Sequence, residues 1–156
     1  MNGPAAVAAL NNMKMFFDTS TQCFEEEDSG FAPTAAQFTV AQQVAHAAQT
    51  VDWFLEGAFR PQGFDMNFPA HMAEVRKVTS LAEARAGWER SMKHAVKFLG
   101  SQSEAELAKK LPPGIMGGAP RHSIVPGLVD HTAHHRGALT VYARLLGKEP
   151  AMPYGA

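Results

Sequence analysis

The stretch 123–147, SIVPGLVDHTAHHRGALTVYARLLG, decides the reading of the fold. An α-helix turns about 100° per residue. On that wheel Ile124, Leu128, His135, Ala138, Tyr142 and Leu146 all lie within about 60° of His131. They form one apolar stripe on a helix expected from about Ser123 to Leu146, with Arg136, Thr140 and Arg144 facing away. Pro126 is tolerated only in the first turn or at a kink, and Gly147 is a natural cap beyond the last turn. His131 and His135 sit in the middle of the stripe, one turn apart, and are expected to point into a core.

Three more helical stripes lie upstream. Leu81, Ala84, Trp88, Met92, Ala95 and Leu99 line one face of a helix that opens at Ser80, with Glu83 completing a capping-box pattern, and ends at Gly100. A second helix is expected from Thr39 to Glu56 with Gly57 as its cap. A first helix is expected from about Pro4 to Glu27, carrying Leu10, Met13, Phe17, Ser20 and Phe24. It would end in the acidic run Glu25–Asp28, which the helix dipole disfavours. Residues 58–79 read as irregular, a long connection of the kind that often packs over a site. Residues 103–111 suit a short extra helix, and 111–120 a loop. The expectation is an all-α four-helix bundle with a long connection after its second helix, one domain over 1–156.

Composition narrows the function. The 156 residues are 46% hydrophobic and 19% charged, with 14 Lys and Arg against 15 Asp and Glu, a formal net charge of -1. That balance argues against broad electrostatic capture of nucleic acid or anionic lipid, and no nucleic-acid recognition motif is present. Cys23, the one cysteine, excludes an internal disulfide and a Cys-rich metal site; it reads as a small apolar residue. No apolar run reaches the ~18 residues of a membrane span. Lys14, inside the first apolar stretch, makes that stretch a helix start rather than a secretory signal, so a cytoplasmic location is expected.

Seven histidines are the unusual count. Two imidazoles on a core face need partners, because an unsatisfied buried polar group costs roughly 1–3 kcal/mol. A divalent ion would take one nitrogen from each, and the i, i+4 spacing permits it. A hydrogen-bonded core pair is the alternative that spacing leaves open. A zinc protease would carry Glu beside the first His; Thr132 stands there, against that reading. His46, flanked by small alanines, is the candidate third ligand, or else a satisfied half-buried histidine. Gln42, Thr50 and Trp53 fall within about 40° of it on the wheel and suggest a lined cavity. His134, at the stripe's edge, suits a supporting group, a cavity wall or helix packing. His71, His94 and His122 show no companion pattern and read as structural or solvent-exposed. Asp130 and the 25–28 run are weak candidates for orienting a ligand histidine.

Residues 131–155, HTAHHRGALTVYARLLGKEPAMPYG, resemble the last-helix signature of the DinB family: His-x-x-His-His-Arg-Gly followed by an Arg-x-Leu-Gly-like ending. FTVAQQVAHAAQTVDWFLEG at 38–57 is similar to the family's second-helix histidine block. The resemblance implies a four-helix bundle in which His46, His131 and His135 bind one divalent ion (zinc, nickel or iron), with His134 not a direct ligand. It implies a homodimer. It also implies activities such as metal-dependent thiol S-transfer or isomerisation with a low-molecular-weight thiol cosubstrate. The expected function is transfer or hydrolysis on a small molecule, with Gln42, Trp53, His134 and Tyr142 around the cavity and no residue assigned as general base. The competing expectation is a non-catalytic, stress-associated metal-binding or partner-binding bundle. Ala138 departs from the family pattern, where Gln is frequent.

Overall fold

The computed structural model describes residues 1–154. Among the described residues there are six α-helices: α1 Gly3–Thr21, α2 Val40–Phe59, α3 Phe68–Arg76, α4 Leu81–Gly100, α5 Glu104–Ala108 and α6 Ile124–Leu145. The four long ones, α1, α2, α4 and α6, form the bundle. α4 packs on α1 and α2, and α6 packs on the same two from the other side, so α1 and α2 stand diagonally. Each expected stripe of α1 and α4 is buried: Leu10, Met13, Phe17, Ser20 and Phe24 on one, Leu81, Ala84, Trp88, Met92, Ala95 and Leu99 on the other. Trp88 meets Phe17 with ring centroids 4.7 Å apart, and its indole N–H donates to Asp18 Oδ1 at 2.8 Å. No helix among the described residues is long and apolar enough to cross a membrane.

α1 ends at Thr21, six residues before its expected end. The acidic run does not extend the helix against its dipole. It forms a separate 3-10 turn, Glu26–Asp28, in which Asp28 Oδ2 accepts from the Glu25 N–H at 2.8 Å. That turn caps α4 from outside: Ser29 Oγ accepts from Leu81 N at 2.9 Å and Glu26 Oε2 from Ala82 N at 2.8 Å. Anionic oxygens at a helix N-terminus are favourably placed. Lys148, beyond α6, closes the same turn through Asp28 at 2.8 Å and Glu25 at 3.1 Å. Just before the turn, Cys23 is half-buried, and that burial pushes its thiol above the usual range.

The last helix is rotated slightly from its expected setting. Its buried residues are Ile124, Val125, Leu128, Thr132, His135, Leu139, Tyr142 and Ala143. His131, Ala138 and Leu146 lie half-buried at the edge. α6 is held by α1 on one side and α2 on the other, so its buried arc centres between them. Arg136 does not face away: its guanidinium lies over the Phe16 and Tyr154 rings and donates to the Tyr154 hydroxyl at 2.7 Å.

The connection after α2 is not wholly irregular. α3 occupies its second half, with Asn67 Oδ1 capping Ala70 N at 3.3 Å and Pro69 in the first turn. α2 also continues past Gly57, which is a packing residue rather than a cap. A Cβ built there would come within 2.1 Å of the Phe64 ring. Phe64 in turn packs on Trp53 and Phe54, at centroid distances of 4.8 and 6.0 Å.

Gly57→Ala tests this close approach. Helix propensity alone favours the alanine by about 1 kcal/mol, but overpacking costs about 1–3 kcal/mol. Because the Phe64 ring has to leave its buried place, a net loss of about 1–2 kcal/mol is expected in urea denaturation. The loss should be less than additive with Phe64→Ala. An unchanged midpoint would mean that Phe64 is not held against α2.

Candidate metal centre

α2 and α6 bring three histidines together. The ring centroid of His46 lies 5.1 Å from that of His131 and 4.9 Å from that of His135; the two α6 rings are 4.4 Å apart. One nitrogen from each ring lies within 4.8 Å of the others. His135 Nε2 and His131 Nε2 are 3.2 Å apart. The i, i+4 spacing stacks the second pair, and the helix crossing adds His46 from 85 or more residues upstream. Three nitrogens at this separation form a donor set that can hold one divalent ion.

Each outer nitrogen has a different environment. His46 Nδ1 lies 3.1 Å from Gln49 Oε1. His135 Nδ1 lies 2.5 Å from Gln43 Oε1, and Gln43 Nε2 donates to the Tyr142 hydroxyl at 3.2 Å. His131 Nδ1 is buried without a partner among the described residues. Among the described residues no carboxylate hydrogen-bonds to any of the three; glutamines take that place. Asp130 is exposed, and the 25–28 run is engaged at the start of α4.

Burial holds the three rings uncharged. It pushes His135 down to about 3, helped by the neighbouring His131 and His46, and His131 down to about 4, helped by His46. His46 is lowered too, again chiefly by burial. Neutral imidazole is the form that offers a lone pair to a metal, so the donor set is competent at neutral pH.

A cavity of about 490 Å³ opens beside His46 and His131, walled by Trp53, Phe54, Phe68, Met72 and Ile115. Trp53 lies in the wall, its indole N–H donating to the Asp65 carbonyl at 2.7 Å, and Thr50 lines the cavity beside it. Tyr142 is buried behind the histidines, outside the wall. His134 is exposed, edge-on to His135 at 5.0 Å. Gln42 does not reach the centre. It closes the capping box with Thr39 and donates to the Arg76 carbonyl at 3.1 Å. Its neighbour Gln43, absent from the sequence reading, is the one that touches a site histidine.

α3 supplies three further cavity residues that the sequence reading missed, Phe68, His71 and Met72. Phe68 is in the wall, and His71 lines the cavity with Nε2 3.2 Å from the Asp65 carbonyl. The signal was present: Asn67 and Pro69 open a helix, and Phe68, Met72 and Val75 follow helical spacing. Ile115 arrives from the 111–120 loop, pinned at its ends by Leu111 N donating to Ala119 O and Arg121 N to Lys109 O, both 2.8 Å.

The family model described as DinB family matches residues 22–156, which include all three histidines and most of the bundle. No curated protein matches the chain.

The depressed histidine values carry a pH signature. Above about pH 6.5 these imidazoles are neutral in both folded and unfolded chains, and their full stabilising contribution is present. As pH falls towards 4 and then 3, the unfolded chain takes protons that the folded chain refuses, so stability is lost. In chelator-treated protein the urea midpoint should therefore be level above about pH 7 and fall steadily from about 6.5 to 4.5. His135→Asn should flatten that slope. A level midpoint over this interval in the parent would show that the imidazoles are not buried in neutral form.

Proposed function

The chain belongs to the DinB family, and from that premise we propose that it is a metal-dependent enzyme acting on a small molecule, with His46, His131 and His135 holding one divalent ion. The observation that carries this reading is the convergence of three neutral imidazoles at the edge of a cavity large enough for a substrate. Three neutral ligands leave an ion its full charge and an open position, so a bound ion would supply Lewis-acid activation of a thiol or water. A low-molecular-weight thiol is the cosubstrate we favour, with S-transfer as the reaction and hydrolysis as the variant in which water takes the thiol's place. Zinc, nickel and iron all suit imidazole nitrogen.

The chain's own residues bias the substrate. Trp53, Phe54, Phe68, Met72 and Ile115 offer an apolar, largely aromatic wall, and among the described residues no Lys or Arg lines the cavity. A flat, uncharged body is favoured there, with its reacting group turned towards His46 and His131. The aromatic wall also limits water beside the donor nitrogens. The cavity is what supports an enzyme over a purely structural metal bundle, because a structural site is closed.

Untagged protein stripped by chelator and reloaded with zinc, nickel or iron should bind about one ion per chain by elemental analysis, in keeping with a single three-nitrogen site. His46→Ala and His131→Ala should each lose it. Loading to 100 times Kd should stabilise the parent by about 2.7 kcal/mol and raise its melting temperature. Stoichiometric metal in either variant would remove that histidine from the ligand set. A loaded parent inert towards every thiol–electrophile pair and ester tried would favour the non-catalytic bundle.

A further inference from the structure

A chain of buried hydrogen bonds runs from the backbone before α2 to His135, and its directions can be assigned one link at a time. The Phe38 carbonyl can only accept. The Tyr142 hydroxyl lies 3.1 Å from it and therefore donates there. With its proton committed, the hydroxyl accepts from the next group, the Gln43 amide Nε2 at 3.2 Å. That orients the amide, leaving Oε1 against His135 Nδ1. An amide oxygen also only accepts, so Nδ1 carries the proton and Nε2 keeps a bare lone pair. Nε2 is the nitrogen that faces His131. Turning the Gln43 amide over would draw the Tyr142 proton to it and take this bond from the Phe38 carbonyl. Gln43, Tyr142 and His135 are all at most 7% exposed, so water does not compete for these groups.

We infer that Gln43 and Tyr142 are positioning residues that lock His135 in the Nδ1–H tautomer, with its Nε2 lone pair aimed into the three-histidine cluster before any ion arrives. The purpose of the lock rests on the metal reading above; the lock itself does not. The other two histidines are held differently. His46 leans on Gln49, which sits at the cavity wall, and His131 Nδ1 has no partner among the described residues. His135 is thus the preorganised donor, whose orientation costs nothing further on binding. The lock starts at the residue preceding Thr39, the cap of α2, and so ties the His135 ring on α6 to the start of the helix that carries His46.

The test uses chelator-treated full-length protein with ¹⁵N-labelled histidine, whose long-range ¹H–¹⁵N correlations report which ring nitrogen is protonated. His135 should read as Nδ1–H in the parent. Gln43→Leu should lose that single tautomer and weaken zinc binding about 10- to 100-fold. Gln43→Glu, whose carboxylate can still accept from Nδ1–H, should restore both. Tyr142→Phe keeps the packing and removes only the anchor, so it should produce a smaller shift of the same kind and serves if Gln43→Leu fails to fold. An Nε2–H His135 in the parent overturns the inference. So does an unchanged tautomer and zinc affinity in Gln43→Leu, or in Tyr142→Phe where that variant stands in. A parent that shows the Nδ1–H form, loses it in Gln43→Leu and takes up no zinc would uphold the lock and defeat the metal reading instead.

Discussion

Three imidazoles share a space in which burial opposes a proton on each, and neighbouring imidazoles add to the opposition at His131 and His135. Among the described residues no carboxylate hydrogen-bonds to any of the three, and the charge of exposed Asp130 offsets only part of the opposition at His131. The geometry around them follows from that constraint. The polar partners at the centre are neutral, glutamine amides and a phenol, and they satisfy ring nitrogens without charging them. The two α6 histidines fall at successive turns, one in the buried arc and one at its edge, so one is held among amides while the other meets the cavity.

The helices α1 and α4 are legible in the sequence because each is gripped over one clean stripe, and a single-helix wheel contains that information. The ends of α1 and α2 were harder to read. Gly57 looks like a cap until the Phe64 ring is placed against it, a contact made by the chain after the helix has ended. The acidic run at 25–28 looks like an unfavourable helix end until Ala82, more than 50 residues later, is seen to donate its N–H to Glu26, with Leu81 donating to Ser29 just after the run. Both misreadings have one cause: the deciding partner is remote in sequence.

The site divides in the same way. His46, His131 and His135 stand out as polar residues on faces otherwise suited to packing, and the DinB-like pattern adds to that. Gln43 does not stand out. It lies about 100° from its neighbour Gln42, and nothing within α2 marks which of the two meets α6. That choice depends on the relative rotation of two helices, which no wheel drawn on either one contains. His71 was hidden differently. It belongs to a nine-residue helix with a single buried residue, Val75, too little of a stripe to register beside the Pro and Gly around it.

Cys23 gives the bundle a chemical property of its own. It is the chain's one thiol, half-buried near the end of α1, and burial shifts it further towards the protonated form. Alkylation and the first step of peroxide oxidation both proceed through the thiolate. The protein therefore presents little of the soft nucleophile that such reagents consume.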